Sequence, residues 1–128
     1  MTYHFSKSLD VPFDQAVACV TEALKREGFG VLTDIDVSAT MKAKLGEDFR
    51  PYRILGACNP QLAHRALQLE DKIGTMLPCN VIVQQYAGGG VEVSTVDPVA
   101  STQAIRNPGL AELAKEVQAK LKKIVEGL

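Results

Sequence analysis

Three cysteines and two histidines have the widest chemical range in this chain, and their spacing limits what they can do. Cys58 stands directly before Asn59-Pro60. Asn is a favoured helix cap and Pro suits the first helical position, so Cys58 sits at the mouth of a helix. Unpaired amides and the positive end of the helix dipole stabilise a thiolate there, which makes Cys58 the candidate nucleophile. The competing reading is a small apolar residue closing a strand, since free cysteine is among the most buried residue types. His64, one turn into that helix, is the candidate base beside Cys58, although its neighbours Arg65 and Gln68 equally suit a solvated helix face. Cys79 is the candidate second thiol. A helix of about ten residues carries the chain about 15 Å between the strand ending at Cys58 and the one opening at Cys79, which predicts the two thiols at opposite sheet ends. An intrachain disulfide needs Cα atoms within about 7 Å and is not expected. A two-fold dimer axis leaves one route by which Cys58 of one chain meets Cys79 of the other. Cys19, between Ala18 and Val20, is expected at the edge of the core.

Other side chains suggest a binding site. Arg50 and Arg53 flank Pro51-Tyr52. Their guanidinium forks suit a carboxylate or phosphate, and the alternative is an ion pair with Glu47 or Asp48. Asp97 before Pro98 caps a turn or serves as a general base. Asn80 follows Cys79 as Asn59 follows Cys58. The candidate ligand-binding set is therefore Cys58, Asn59, Arg50, Arg53, Asn80 and Asp97. Gly88-Gly89-Gly90 lacks the Gly-Lys-Ser/Thr of a phosphate loop and leads into a strand, so it reads as a hairpin turn. His4 and His64 form no H-x-x-H spacing and the cysteines no C-x-x-C, so neither a metal nor a cofactor is expected. No G-x-S-x-G elbow is present and Trp is absent, which leaves hydrolase and base-stacking readings without support.

Composition narrows the class further. A chain of 128 residues is long enough to bury about two thirds of its unfolded surface, so one domain over 1–128 folds without staples. Fourteen Lys and Arg against fifteen Asp and Glu leave a net charge of −1, which points away from nucleic acid and anionic lipid. The 46% hydrophobic and 23% charged fractions are those of a folded protein rather than a disordered one. The N-terminus has no basic region followed by an apolar run, and no apolar run approaches about 18 residues, so a cytoplasmic, soluble protein with reduced thiols is expected.

The elements that must position these residues follow from periodicity. Residues 2–9 alternate as a strand. Phe13, Val17, Val20 and Leu24 mark an amphipathic helix that starts at Asp10 and Pro12 and stops at Gly28. Phe29, Val31, Thr33 and Ile35 then share one face of a second strand, with Gly30, Leu32 and Asp34 on the other. Val37, Met41 and Leu45 stripe a short helix ending at Gly46. Strands are predicted at Tyr52–Ala57, Cys79–Val83 and Val91–Val96, the last two as an antiparallel hairpin. The Asn59-Pro60 helix carries Leu62, Ala63, Ala66 and Leu67, a short piece follows Asp97-Pro98, and a last helix from Asn107-Pro108 carries Leu110, Leu113, Val117, Leu121 and Ile124. The order β-α-β-α-β-α-β-β-α implies an α+β fold, with about five strands in a mixed or antiparallel sheet and helices on one face. Leu32, Leu55 and Val81 suggest an apolar second face, which predicts cover by a partner in a homodimer.

Four stretches resemble a known family: Gly28-Phe29-Gly30-Val31-Leu32, Phe49-Arg50-Pro51-Tyr52-Arg53-Ile54-Leu55-Gly56-Ala57-Cys58-Asn59-Pro60, Leu77-Pro78-Cys79-Asn80-Val81 and Val96-Asp97-Pro98. Together they are similar to the bacterial and archaeal domain-of-unknown-function family numbered 302, across almost the whole chain. That resemblance implies a dimeric α+β domain and carries no established activity. The expected function is a small-ligand binding or accessory protein, whose ligand is apolar or a small anion. The alternative is thiol-dependent redox or sulfur transfer, with Cys58 as nucleophile, His64 as its partner and Cys79 of a neighbouring chain as the resolving thiol.

Overall fold

The computed structural model describes residues 2–128. Strand β1 (His4–Leu9) leads into helix α1 (Phe13–Arg26), β2 (Gly30–Asp36), α2 (Val37–Leu45), β3 (Tyr52–Cys58) and α3 (Pro60–Leu69). A 3-10 turn (Ile73–Met76) precedes β4 (Cys79–Gln85), β5 (Val91–Val96), α4 (Pro98–Ser101) and α5 (Pro108–Glu126). Both Asn-Pro starts act as read from the sequence. Asn59 and Asn107 accept from the amides of Leu62 and Leu110 at 3.3 and 3.2 Å, with Pro in the first turn where no amide is needed. Asp36 caps α2 through the Ala39 amide at 2.9 Å, and Gly46 ends it in the left-handed conformation at φ 68°. Pro12 precedes α1 with no side-chain cap, so Asp10 is not a cap.

The five strands form one sheet in the order β1-β5-β4-β3-β2, and every pair is antiparallel. Register fixes which residues share a face. Leu55 opposes Val81, Ala57 opposes Cys79, Val81 opposes Thr95, and Val83 opposes Val93. These residues face α1 and α5, whose Val20, Leu24, Leu113 and Leu121 complete a core in which Leu24, Val83, Val93 and Leu121 are fully enclosed. Leu55 and Val81 therefore belong to the covered face, and not to the second face the sequence suggested.

The second strand departs from strict alternation. Val31 opposes Ala57 while Thr33 opposes Gly56, so Leu32 is an extra residue in a bulge. The bulge reverses the facing of everything after it: Thr33 and Ile35 lie with Gly56 and Ile54 on the side away from α1 and α5, and Asp34 opposes Leu55. Leu32 itself projects to solvent at 68% exposure. In α2, Val37 and Met41 are half-buried, whereas Leu45 is exposed.

Candidate functional site

The connection from β3 to β4 builds the site. β3 stops at Cys58, α3 carries the chain away, and residues 70–78 bring it back through the 3-10 turn and a cis Leu77-Pro78 bond. The return leg has no counterpart in the periodicity reading, and it reverses the strand direction: β4 begins at the sheet end where β3 stops. Between that sheet end, α3, the 3-10 turn and α5 lies a pocket of about 310 Å³. Phe29, Leu62, Ala66, Ile73, Leu113 and Val117 supply its walls, with Leu32 and Met76 also in the lining and exposed to solvent. Gly28, at φ +86°, closes α1 against α3: a Cβ there would stand 3.0 Å from the Asn59 amide nitrogen.

The polar lining is Cys58, Asn59, Ser101, Thr102 and Cys79. Most of it is already committed. Asn59 caps α3, while the Ser101 and Thr102 hydroxyls donate to the Pro98 carbonyl at 3.3 and 2.6 Å. The two thiols remain. Cys58 and Cys79 are both half-buried and free, one residue out of register across β3 and β4. The expectation that they lie at opposite sheet ends is thus overturned, because β3 and β4 run antiparallel. Burial pushes the Cys79 thiol up to about 11, with the nearby Cys58 adding to the rise. A thiol so raised is a poor nucleophile at neutral pH. Cys19, expected at the core edge, is exposed on α1.

The remaining candidates do not gather around these thiols. His64 is exposed on α3 and lies outside the pocket lining. Arg50 and Arg53 stand at the opposite end of β3 from Cys58, about 16 Å away for five strand steps, so one small ligand cannot span both groups. Neither arginine pairs with Glu47 or Asp48. Arg53 grips both carboxylate oxygens of Asp34, with Nε donating to Oδ1 at 2.7 Å, and the hydrogen bond to Arg53 holds the Asp34 carboxyl below its usual range. Arg50 donates from Nε to Gln84 Oε1 at 2.9 Å and lies 4.6, 5.5 and 5.9 Å from the ring centres of Phe49, Tyr52 and Tyr86. Asn80 is exposed opposite Gly56, on the side away from the helices. Asp97 is buried, and its Oδ1 accepts from the Val99 amide and from Gln118 Nε2, each at 3.0 Å, so it ties α4 to α5.

Two features escaped the sequence reading. The pocket walls read there only as helix stripes, and the apolar Ile73, Met76 and Leu77 fell in a segment given no element. A row of hydrogen bonds also crosses the sheet face away from α1 and α5: His4 Nδ1 to Ser6 at 2.8 Å, Ser6 to Ser94 at 2.7 Å, then Ser94 and Tyr86 donating to Glu92 Oε1 at 3.3 and 3.1 Å. Strand alternation could have suggested Ser6 and Ser94, but only the β1–β5 register pairs them.

Among the described residues, no group of three or more His, Cys, Asp and Glu is placed to hold a metal, and no helix is long and apolar enough to cross a membrane. A family profile described as domain of unknown function DUF302 matches residues 5–128. The crystal structure of an uncharacterized conserved protein DUF302 from Bacillus stearothermophilus superposes with a TM-score of 0.91 at 30% identity, over 98% of each chain. No curated protein matches the chain.

Proposed function

The chain belongs to the DUF302 family of domains of unknown function, and we propose that this protein binds a small apolar molecule in the pocket between β3, α3, the 3-10 turn and α5. The observation that carries this reading is the pocket itself: about 310 Å³ with almost wholly apolar walls. An apolar cavity of about 150 Å³ admits benzene, so the pocket has room for a two-ring molecule. The arginines are engaged elsewhere, which favours a neutral ligand over an anion. Indole is a suitable probe because the chain has no Trp. Indole emission should shift to the blue on mixing with the protein, and less so with the Ala63→Leu variant, whose side chain intrudes on the pocket. Emission unchanged by the wild-type protein sinks the proposal.

A second reading is thiol chemistry at Cys58. It is favoured by Cys79 lining the same pocket in the same chain, so that no neighbouring chain is required. Iodoacetamide would then modify Cys58 at neutral pH faster than the exposed Cys19, and an equal or slower rate removes the reading. The homodimer and the cytoplasmic setting are part of the proposal. For the dimer, support comes from Ile35, 47% exposed on the side away from α1 and α5 beside half-buried Ile54 and Ile82. Mass measured in solution by light scattering decides between one chain and two.

A further inference from the structure

We propose that Arg50 is the anchor of a second binding site, for an aromatic monocarboxylate, on the sheet face away from α1 and α5. The site lies at the other end of β3 from the pocket, so it goes beyond the apolar-ligand reading and does not depend on it.

Register builds its floor. Tyr52, Gln84 and Glu92 stand directly opposite one another on β3, β4 and β5 and therefore share that face. The Pro51 carbonyl accepts from the Gln85 amide at 3.0 Å, which fixes the backbone beside Arg50 to β4. Arg50 Nε then donates to Gln84 Oε1 at 2.9 Å, and the ring centres of Phe49, Tyr52 and Tyr86 lie 4.6, 5.5 and 5.9 Å from its guanidinium carbon. One hydrogen bond and three rings hold the guanidinium in place.

Donors are left over at this point. Among the described residues, Arg50 makes no ion pair and no hydrogen bond beyond the one from Nε, so the fork of Nη1 and Nη2 is unpartnered. Gln84 is only 8% exposed, yet its Nε2 donates to nothing among those residues. Side chains buried to this degree have their polar atoms paired as a rule, so an unpartnered amide beside an unpartnered guanidinium points to an acceptor ligand.

The donor set decides the ligand. The parallel N–H groups of the fork match the two oxygens of one carboxylate. A single cation, with the Glu92 carboxylate held by the Tyr86 hydroxyl at 3.1 Å, suits a monoanion better than a phosphate dianion. Phe49 and Tyr86, 37% and 45% exposed, offer ring surface to a planar ligand.

The test is a titration of isotope-labelled protein with sodium benzoate at pH 7, followed by NMR, with sodium chloride as the control. Shifts should gather at Phe49, Arg50 and Tyr86 and saturate in the millimolar range. Arg50→Lys keeps the charge and loses the fork, and should weaken binding by at least about 10-fold. Phe49→Leu should weaken it by about 3-fold, and Ala63→Leu, at the pocket, should leave it unchanged. Arg50 is exposed, and an otherwise unaltered amide spectrum confirms that its variant folds. Inorganic phosphate should bind more weakly than benzoate. Shifts that do not saturate, full binding by Arg50→Lys, binding lost in Ala63→Leu, or phosphate held more tightly than benzoate would each overturn the site.

Discussion

Replacing Ala63 with Leu separates an open pocket from a tightly packed core, because the two give opposite signs of stability change. Ala63 lies half-buried on α3 and lines the pocket. Leu is nearly as good a helix former, so the backbone contributes little to the difference. The substitution adds three carbons, and burial is worth about 0.8 kcal/mol for each, or roughly 2 kcal/mol together. Ordering the longer side chain removes about 0.5–1 kcal/mol of that. The expected net gain is therefore about 1–1.5 kcal/mol, which for a chain of this size raises Tm by about 3–6 °C. In a filled core the same carbons would force neighbours off their rotamers and cost about 1–3 kcal/mol. Thermal unfolding followed by circular dichroism reads the sign directly. A Tm lowered by several degrees would refute the pocket as open space, and with it the binding reading that rests on the pocket.

The raised Cys79 thiol makes stability fall in alkali. Its pKa moves from 9.0 to about 11, so the native chain keeps a proton that the unfolded chain releases, and stability drops between these values by at most about 3 kcal/mol. Urea unfolding should show this decline to be shallower in Cys79→Ala than in wild type, and equal slopes would contradict the burial argument. For Gly56→Ala, a Cβ would stand 2.2 Å from Thr33 Oγ1 and 2.6 Å from Pro78 Cγ. A loss of about 2–3 kcal/mol is expected, only partly recovered by adding Thr33→Ala, because the proline ring cannot rotate away. Full recovery in the double variant would show that Pro78 is not in the way. The Arg53–Asp34 pair contributes above the ordinary aspartate pKa and is lost as pH falls through the lowered native value. Being partly exposed, the pair is worth about 1 kcal/mol at most, so Asp34→Asn should lower Tm slightly at pH 7, and the difference should shrink as pH falls below the ordinary aspartate range. A deficit that stays constant as pH falls would assign the loss to something other than the ion pair.

The sequence by itself determined where the elements start and stop and which helix faces are apolar. Those signals are local: the caps at Asn59 and Asn107 act across three residues, and the stripes of α1 and α5 repeat every three or four. The helix and strand order followed, as did the antiparallel hairpin of β4 and β5, because a short glycine turn leaves no other pairing. Tertiary structure decided the rest. Whether β4 runs with or against β3 depends on how residues 70–78 return, and that segment has no period from which direction can be read. The same return makes Cys79 a neighbour of Cys58 and sets Arg50 and Arg53 far from both. The bulge at Leu32 is likewise invisible in a pattern that alternates without a break. It arises when two residues of β2 face one interval of β3, and it moves Thr33 and Ile35 from the expected core to the open face. The pocket belongs to no single segment: its walls come from α3, α5, the 3-10 turn and the sheet end, which meet only once the chain has packed.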